Sequence, residues 1–102
     1  MKCLTLFLHA AVRNDVVDAL RATDEVTGFT LVECQGHSTR SGEDPFLAAR
    51  DRVEGFVPRL RIDLVLEDAA VQPVLERVRG QLEGSEAHGT WLVSDVEGFG
   101  RL

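Results

Sequence analysis

From Arg59 to Glu67 the chain reads RLRIDLVLE. Leu60, Ile62, Leu64 and Leu66 take every second position, and Arg61, Asp63, Val65 and Glu67 fall between them. A period of two predicts a strand with one face in a core. A slip of one residue would turn all four aliphatic side chains into water, so the register is pinned. The pattern therefore commits the chain to a sheet with one strongly apolar face. Lys2 to Leu8 alternates as well, with Leu4, Leu6 and Leu8 on one face and Cys3, Thr5 and Phe7 on the other. Both of its faces are largely apolar, which predicts a central strand covered on both sides. Phe29 to Gln35, enriched in Thr, Val and Phe, reads as a further strand. Thr90 to Val96 reads as the last.

Two helices are expected between the strands. Over Ala11 to Ala22, Val12, Val16, Ala19 and Leu20 keep helical spacing, while Asp15, Asp18 and Arg21 take the wet side. Val71, Val74, Leu75, Val78 and Leu82 form a second apolar stripe. Asp68 is placed to cap that helix. Pro73 is early enough to be tolerated, and Gly84 ends it. The order β-α-β-loop-β-α-β predicts an α+β, ferredoxin-like βαββαβ sandwich. It has a four-stranded antiparallel sheet, two helices on one face and a long loop between the second and third strands. The 102 residues suit one domain, expected over 1–102.

The sheet face away from the helices would carry Cys3, Thr5, Phe7, Arg61, Asp63 and Val65, with Trp91 and Val93 assigned to it as well. Large apolar groups should not face water over a broad patch, so a homo-oligomer is expected. Acidic residues outnumber basic ones 17 to 11, a net charge of −6. That argues against nucleic-acid binding, which needs a basic face. No apolar run approaches the roughly 20 residues of a bilayer span. The opening MKCLTLFLHAAVRND is interrupted by Thr5 and His9 and alternates, so it is read as a strand rather than a leader. A cytoplasmic location, with no membrane insertion, is expected. Cys3 and Cys34 make no disulfide framework; they are expected reduced and packed as small apolar groups.

Three stretches carry a resemblance. VTGFTLVECQG (Val26 to Gly36), GFVPRLRIDLVLED (Gly55 to Asp68) and HGTWLVSDVEGFGRL (His88 to Leu102) occur in order. They are similar to the second strand, the T-loop exit with third strand, and the B-loop with fourth strand of the PII signalling proteins. The chain resembles most closely the small PII-like proteins of unknown function encoded beside heavy-metal efflux systems. The resemblance implies a homotrimer with its open sheet faces turned to the three-fold axis. It implies a small ligand, an adenine nucleotide or a divalent metal ion, in clefts between subunits. A T-loop over about 38–57 would report the ligand to a partner, here a heavy-metal efflux transporter.

Carried over position by position, the resemblance assigns the cleft to Thr30, Gly36, His37 and Ser38. Arg40 and Arg59 would reach phosphates or a carboxylate, which suits the fork of a guanidinium. Asp63 and Val65 would lie near a base, Gly89 would supply backbone, and Arg101 matches the start of the C-loop. Ser38 stands where the family has a second glycine, and Thr90 where nucleotide-binding members carry a lysine, so the ligand's identity stays open. A metal site from His37, His88 and Glu86 is a further reading; exposed loop histidines are the commoner one. Asp44-Pro45 is a helix-start signature, and Phe46, Ala49 and Val53 follow at helical spacing. Asp44, Phe46, Leu47, Arg50 and Arg52 are thus candidate docking residues within the loop.

No nucleophile elbow surrounds any Ser, and no phosphate-binding Gly-rich loop is present. The expected function is regulation rather than catalysis. A metal-binding tolerance protein resembling the CutA family and a small ferredoxin-like enzyme remain the alternatives, since this fold hosts both.

Overall fold

The computed structural model describes residues 1–37, 56–84 and 89–102. Strand β1 (Lys2–His9) leads through a single 3-10 turn (Ala10–Val12) into helix α1 (Arg13–Arg21). Strands β2 (Thr30–Gly36) and β3 (Val57–Leu66) follow, then a second 3-10 turn (Asp68–Ala70), helix α2 (Val71–Leu82) and β4 (Gly89–Asp95). The strand order is β2-β3-β1-β4, and every pairing is antiparallel. This is the ferredoxin-like arrangement that the order of elements predicts.

The core lies between the helices and the two central strands. Leu4, Leu6 and Leu8 of β1 and Leu60, Ile62, Leu64 and Leu66 of β3 are all at most 2% exposed. Val12, Val16 and Leu20 pack on them from the α1 side, and Val71, Val74, Leu75 and Val78 from α2. Each such side chain is worth about 1.5–3 kcal/mol when fully buried, so these two faces dominate the stability. Pro73 sits in the first turn of α2, where its missing N–H costs no helical bond. Gly84 adopts φ +74 just past that helix, a conformation that glycine takes without strain.

Two local expectations are corrected. Asp68 makes no side-chain cap; it lies inside the 3-10 turn, and its carboxylate meets the Met1 amino group at 3.2 Å. A side-chain cap does form on the other 3-10 turn, ahead of α1: His9 Nδ1 accepts from the Ala11 N–H at 3.0 Å. Second, the β1–β4 register sets Trp91 opposite Leu6 and Val93 opposite Leu4. Directly opposed residues share a face, so both point to the helix side, and Leu92, opposite Thr5, takes the open face. The helices cover β1 and β3 but stop short of β4, which leaves Trp91 47% and Val93 36% exposed. Among the described residues no helix is long and apolar enough to cross a membrane.

β3 also starts earlier than its alternation predicts. Val57 pairs with Gly36 and Pro58 with Gln35, so the strand includes the last residue assigned to the T-loop. Pro58 lies beyond the reach of β1, whose last partner is Arg59, so the missing N–H interrupts no bond on that side.

Candidate functional site

The open face is built by the odd-numbered residues of β3. Arg59, Arg61, Asp63 and Val65 alternate with the buried aliphatics, so the register that fixes the core also fixes them. β1 contributes Cys3, Thr5 and Phe7 beside them, β2 contributes Thr30, Val32, Cys34 and Gly36, and β4 contributes Thr90 and Leu92.

A polar chain runs across the middle of this face. The Thr5 hydroxyl, 3% exposed, donates to Asp63 Oδ1 at 2.6 Å. Arg61 Nε donates to Asp63 Oδ2 at 3.0 Å, and its guanidinium carbon lies 5.8 Å from the centre of the Phe7 ring. Partial burial pushes the Asp63 carboxyl up. The bonds from Thr5 and Arg61, with the charge of Arg61, outweigh it and hold the group below the usual carboxylate range.

At the end of the sheet where β2 leaves for the loop lies an open depression of about 480 Å³. Its described lining is Phe7, Cys34, Gln35, Gly36, His37, Arg59, Arg61 and Thr90. Two arginines and a histidine line it, and no described Asp or Glu does. In a chain of net charge −6 that is a local reversal of sign. Among the described residues no carboxylate pairs with Arg59. Its side chain lies across Gly36, where a Cβ would run into Arg59 Nε and Cδ. A larger residue at this position would push the flexible Arg59 side chain aside. His37 Nε2 sits 3.2 Å from Gln35 Oε1, and its ring faces Phe56 at 6.1 Å. The two residues that flank segment 38–55 therefore touch.

The depression gathers Gly36, His37 and Arg59 from the sequence-derived set. Thr30 and Asp63 oppose one another farther along the sheet, and Val65 is beyond them. Gly89 opposes Leu8, where a Cβ would lie 2.7 Å from the Phe7 carbonyl oxygen, so its need for glycine has a packing cause. Arg101 lies in the exposed segment after β4. Ser38, Arg40, Asp44, Phe46, Leu47, Arg50, Arg52, Glu86 and His88 fall outside the described residues. Phe7, Cys34 and Gln35 join the site without having been assigned to it; Arg61 joins from the run of arginines beside the loop, and Thr90 from the position where the sequence departs from the family's lysine. Their signal was the register: Cys34 opposes Arg59, Val32 opposes Arg61, and Thr90 opposes Phe7.

Among the described residues no group of three or more His, Cys, Asp and Glu side chains converges. Cys3 and Cys34 are both free thiols. They occupy opposite ends of the open face, Cys3 opposite Val65 and Cys34 opposite Arg59.

Known proteins agree with this architecture. The chain is similar to the nitrogen regulatory protein P-II of Mesorhizobium japonicum, at 26% identity over 103 residues, covering 100% of this chain and 91% of that protein. The protein of the same name from Azospirillum brasilense is 24% identical over 103 residues, with the same coverage. A crystal structure of a DUF3240 family protein from Shewanella baltica matches the fold with a TM-score of 0.78 at 16% identity. It covers 99% of this chain and 94% of that one. A family model described as "Protein of unknown function (DUF3240)" matches residues 1–102. The chain thus belongs to the DUF3240 family and has a PII-like fold.

Proposed function

We propose that the chain is a PII-like regulatory protein that binds a small anion in the depression at the end of β2. The observation that carries the reading is the lining: Arg59, Arg61 and His37 converge there without a described carboxylate, in an acidic protein. A guanidinium pair presents planar N–H forks suited to phosphate or carboxylate oxygens. Phe7 supplies an apolar wall on the same site. Adenine nucleotides fit this chemistry, and so do smaller anions. The metal alternative, in the form assigned from sequence, needs His88 and Glu86, which lie outside the described residues.

The site adjoins the flanks of segment 38–55, joined by the His37–Phe56 contact. A ligand drawing on His37 and Gly36 would act directly on the base of that segment. The segment then carries the signal, through Phe46, Leu47 and the neighbouring charges, to a protein partner. By family resemblance that partner is a heavy-metal efflux transporter.

The open face supports assembly into a trimer. Val32 and Leu92 are 50% and 48% exposed on it, and other copies of the chain would cover them. On this reading the working unit is a single domain in a cytoplasmic homotrimer, and it binds rather than catalyses.

Calorimetry with ATP, ADP, pyrophosphate and bicarbonate tests the proposal. Binding of at least one, weakened about tenfold in Arg59→Ala, is the expected result. Silence for all four, with heat from Zn, Co or Ni ions instead, contradicts it.

A further inference from the structure

Two arginines line the depression, and they are held differently. Arg59 has no carboxylate partner among the described residues. Arg61 is shared. On one side its Nε donates to Asp63 Oδ2 at 3.0 Å, with Nη2 at 3.5 Å from Oδ1. On the other it lines the depression and lies over Phe7. Asp63 is the better fixed of the pair, because the buried Thr5 hydroxyl binds it at 2.6 Å. The Arg61 side chain is 51% exposed against 29% for Asp63. One good hydrogen bond and one at the limit of length hold a half-exposed guanidinium loosely.

We infer that Asp63 sets the affinity of the depression by holding Arg61, and that an anion bound there takes Arg61 from it in exchange. The inference deepens the proposed function and rests on it. Its consequence is selectivity. Arg59, with no carboxylate partner among the described residues, is open to any anion, whereas Arg61 goes only to a ligand that competes with a carboxylate. A multiply charged phosphate or pyrophosphate gains both arginines; a monoanion such as bicarbonate gains one. Asp63 is therefore a positioning residue that touches Arg61 and not the ligand.

The test is a double-mutant cycle with pyrophosphate as the probe, at fixed ionic strength. The proteins are the unsubstituted chain, Asp63→Asn, Arg61→Gln and the double variant. Asp63→Ser, which still offers Thr5 an oxygen, runs alongside, and thermal unfolding checks that each variant is folded. Asp63→Asn and Asp63→Ser should bind pyrophosphate about fivefold tighter, the scale of a freed surface ion pair. That gain should vanish in the Arg61→Gln background. A gain that persists without Arg61 is general charge relief and overturns the exchange. Unchanged or weaker binding by both Asp63 variants overturns it too. If pyrophosphate binds the unsubstituted chain and Arg59→Ala weakens this, such a failure leaves the site intact and removes only the exchange. Silence of the unsubstituted chain and of both Asp63 variants towards pyrophosphate, ATP, ADP and bicarbonate alike removes the two readings together.

Discussion

The two sides of β3 show how one strand serves two ends. Its even-numbered residues, Leu60, Ile62, Leu64 and Leu66, are at most 1% exposed and belong to the core. Its odd-numbered residues, Arg59, Arg61, Asp63 and Val65, carry the charges of the open face. The backbone that places one set places the other, because side chains alternate strictly along a strand. The core side tolerates no loss of volume, while the open side tolerates change at the expense of binding. The substitutions below separate the two.

The largest effect is expected on the core side. Leu64→Ala should lower the unfolding free energy by about 2–5 kcal/mol, the usual result of a cavity in a packed interior. A urea midpoint checks it. Next comes Gly89, at the junction of the two sides. A Cβ there meets the Phe7 carbonyl oxygen and Leu8 Cδ2, so Gly89→Ala should cost about 1–3 kcal/mol by overpacking. Hydrogen exchange should show the loss concentrated in the β1–β4 ladder.

The open side should respond in the opposite way. Arg59→Ala is expected to change stability by no more than about 0.5 kcal/mol. It should weaken anion binding about tenfold, as befits a lost charged hydrogen bond. Gly36→Ala should displace the Arg59 side chain without removing it, and so weaken binding less than Arg59→Ala does. Calorimetry with pyrophosphate ranks the two.

The smallest effect is on pH dependence. The Asp63 carboxyl is held below its ordinary range in the folded chain: burial raises it, and Thr5 and Arg61 more than compensate. A depressed carboxyl adds stability above its unfolded pKa, and that stability is lost as pH falls through the folded value. Between neutrality and the acid side of the carboxylate range, Asp63→Asn should therefore flatten the fall in stability slightly. Urea midpoints across that range measure the slope.

The fold was legible because its strongest elements are periodic. β1, β3 and both helices state their buried faces in the spacing of Leu, Ile and Val. β4 does not: Trp91, Leu92 and Val93 are consecutive and apolar, so alternation could not say which side each faces. Only the pairing with β1 does so. The site was legible in part for a similar reason. Gly36, His37 and Arg59 stand close to the loop that interrupts the sheet, and family resemblance pointed to them. Phe7, Cys34, Arg61 and Thr90 come from all four strands and meet only through the register. Asp68 misled because an acidic residue before a helix reads as a cap, whereas a 3-10 turn intervenes here.

The most direct test of the central claim is an amide chemical-shift titration of the assigned protein with pyrophosphate. Among the described residues another hollow, about 540 Å³, lies between α1 and β2 and is lined by Arg13, Asp18, Arg21 and Phe29, among others. The account predicts saturable shifts at Gly36, His37, Arg59, Arg61 and Thr90, with Arg13, Arg21 and Phe29 unmoved. Shifts confined to Arg13, Arg21 and Phe29 would contradict it.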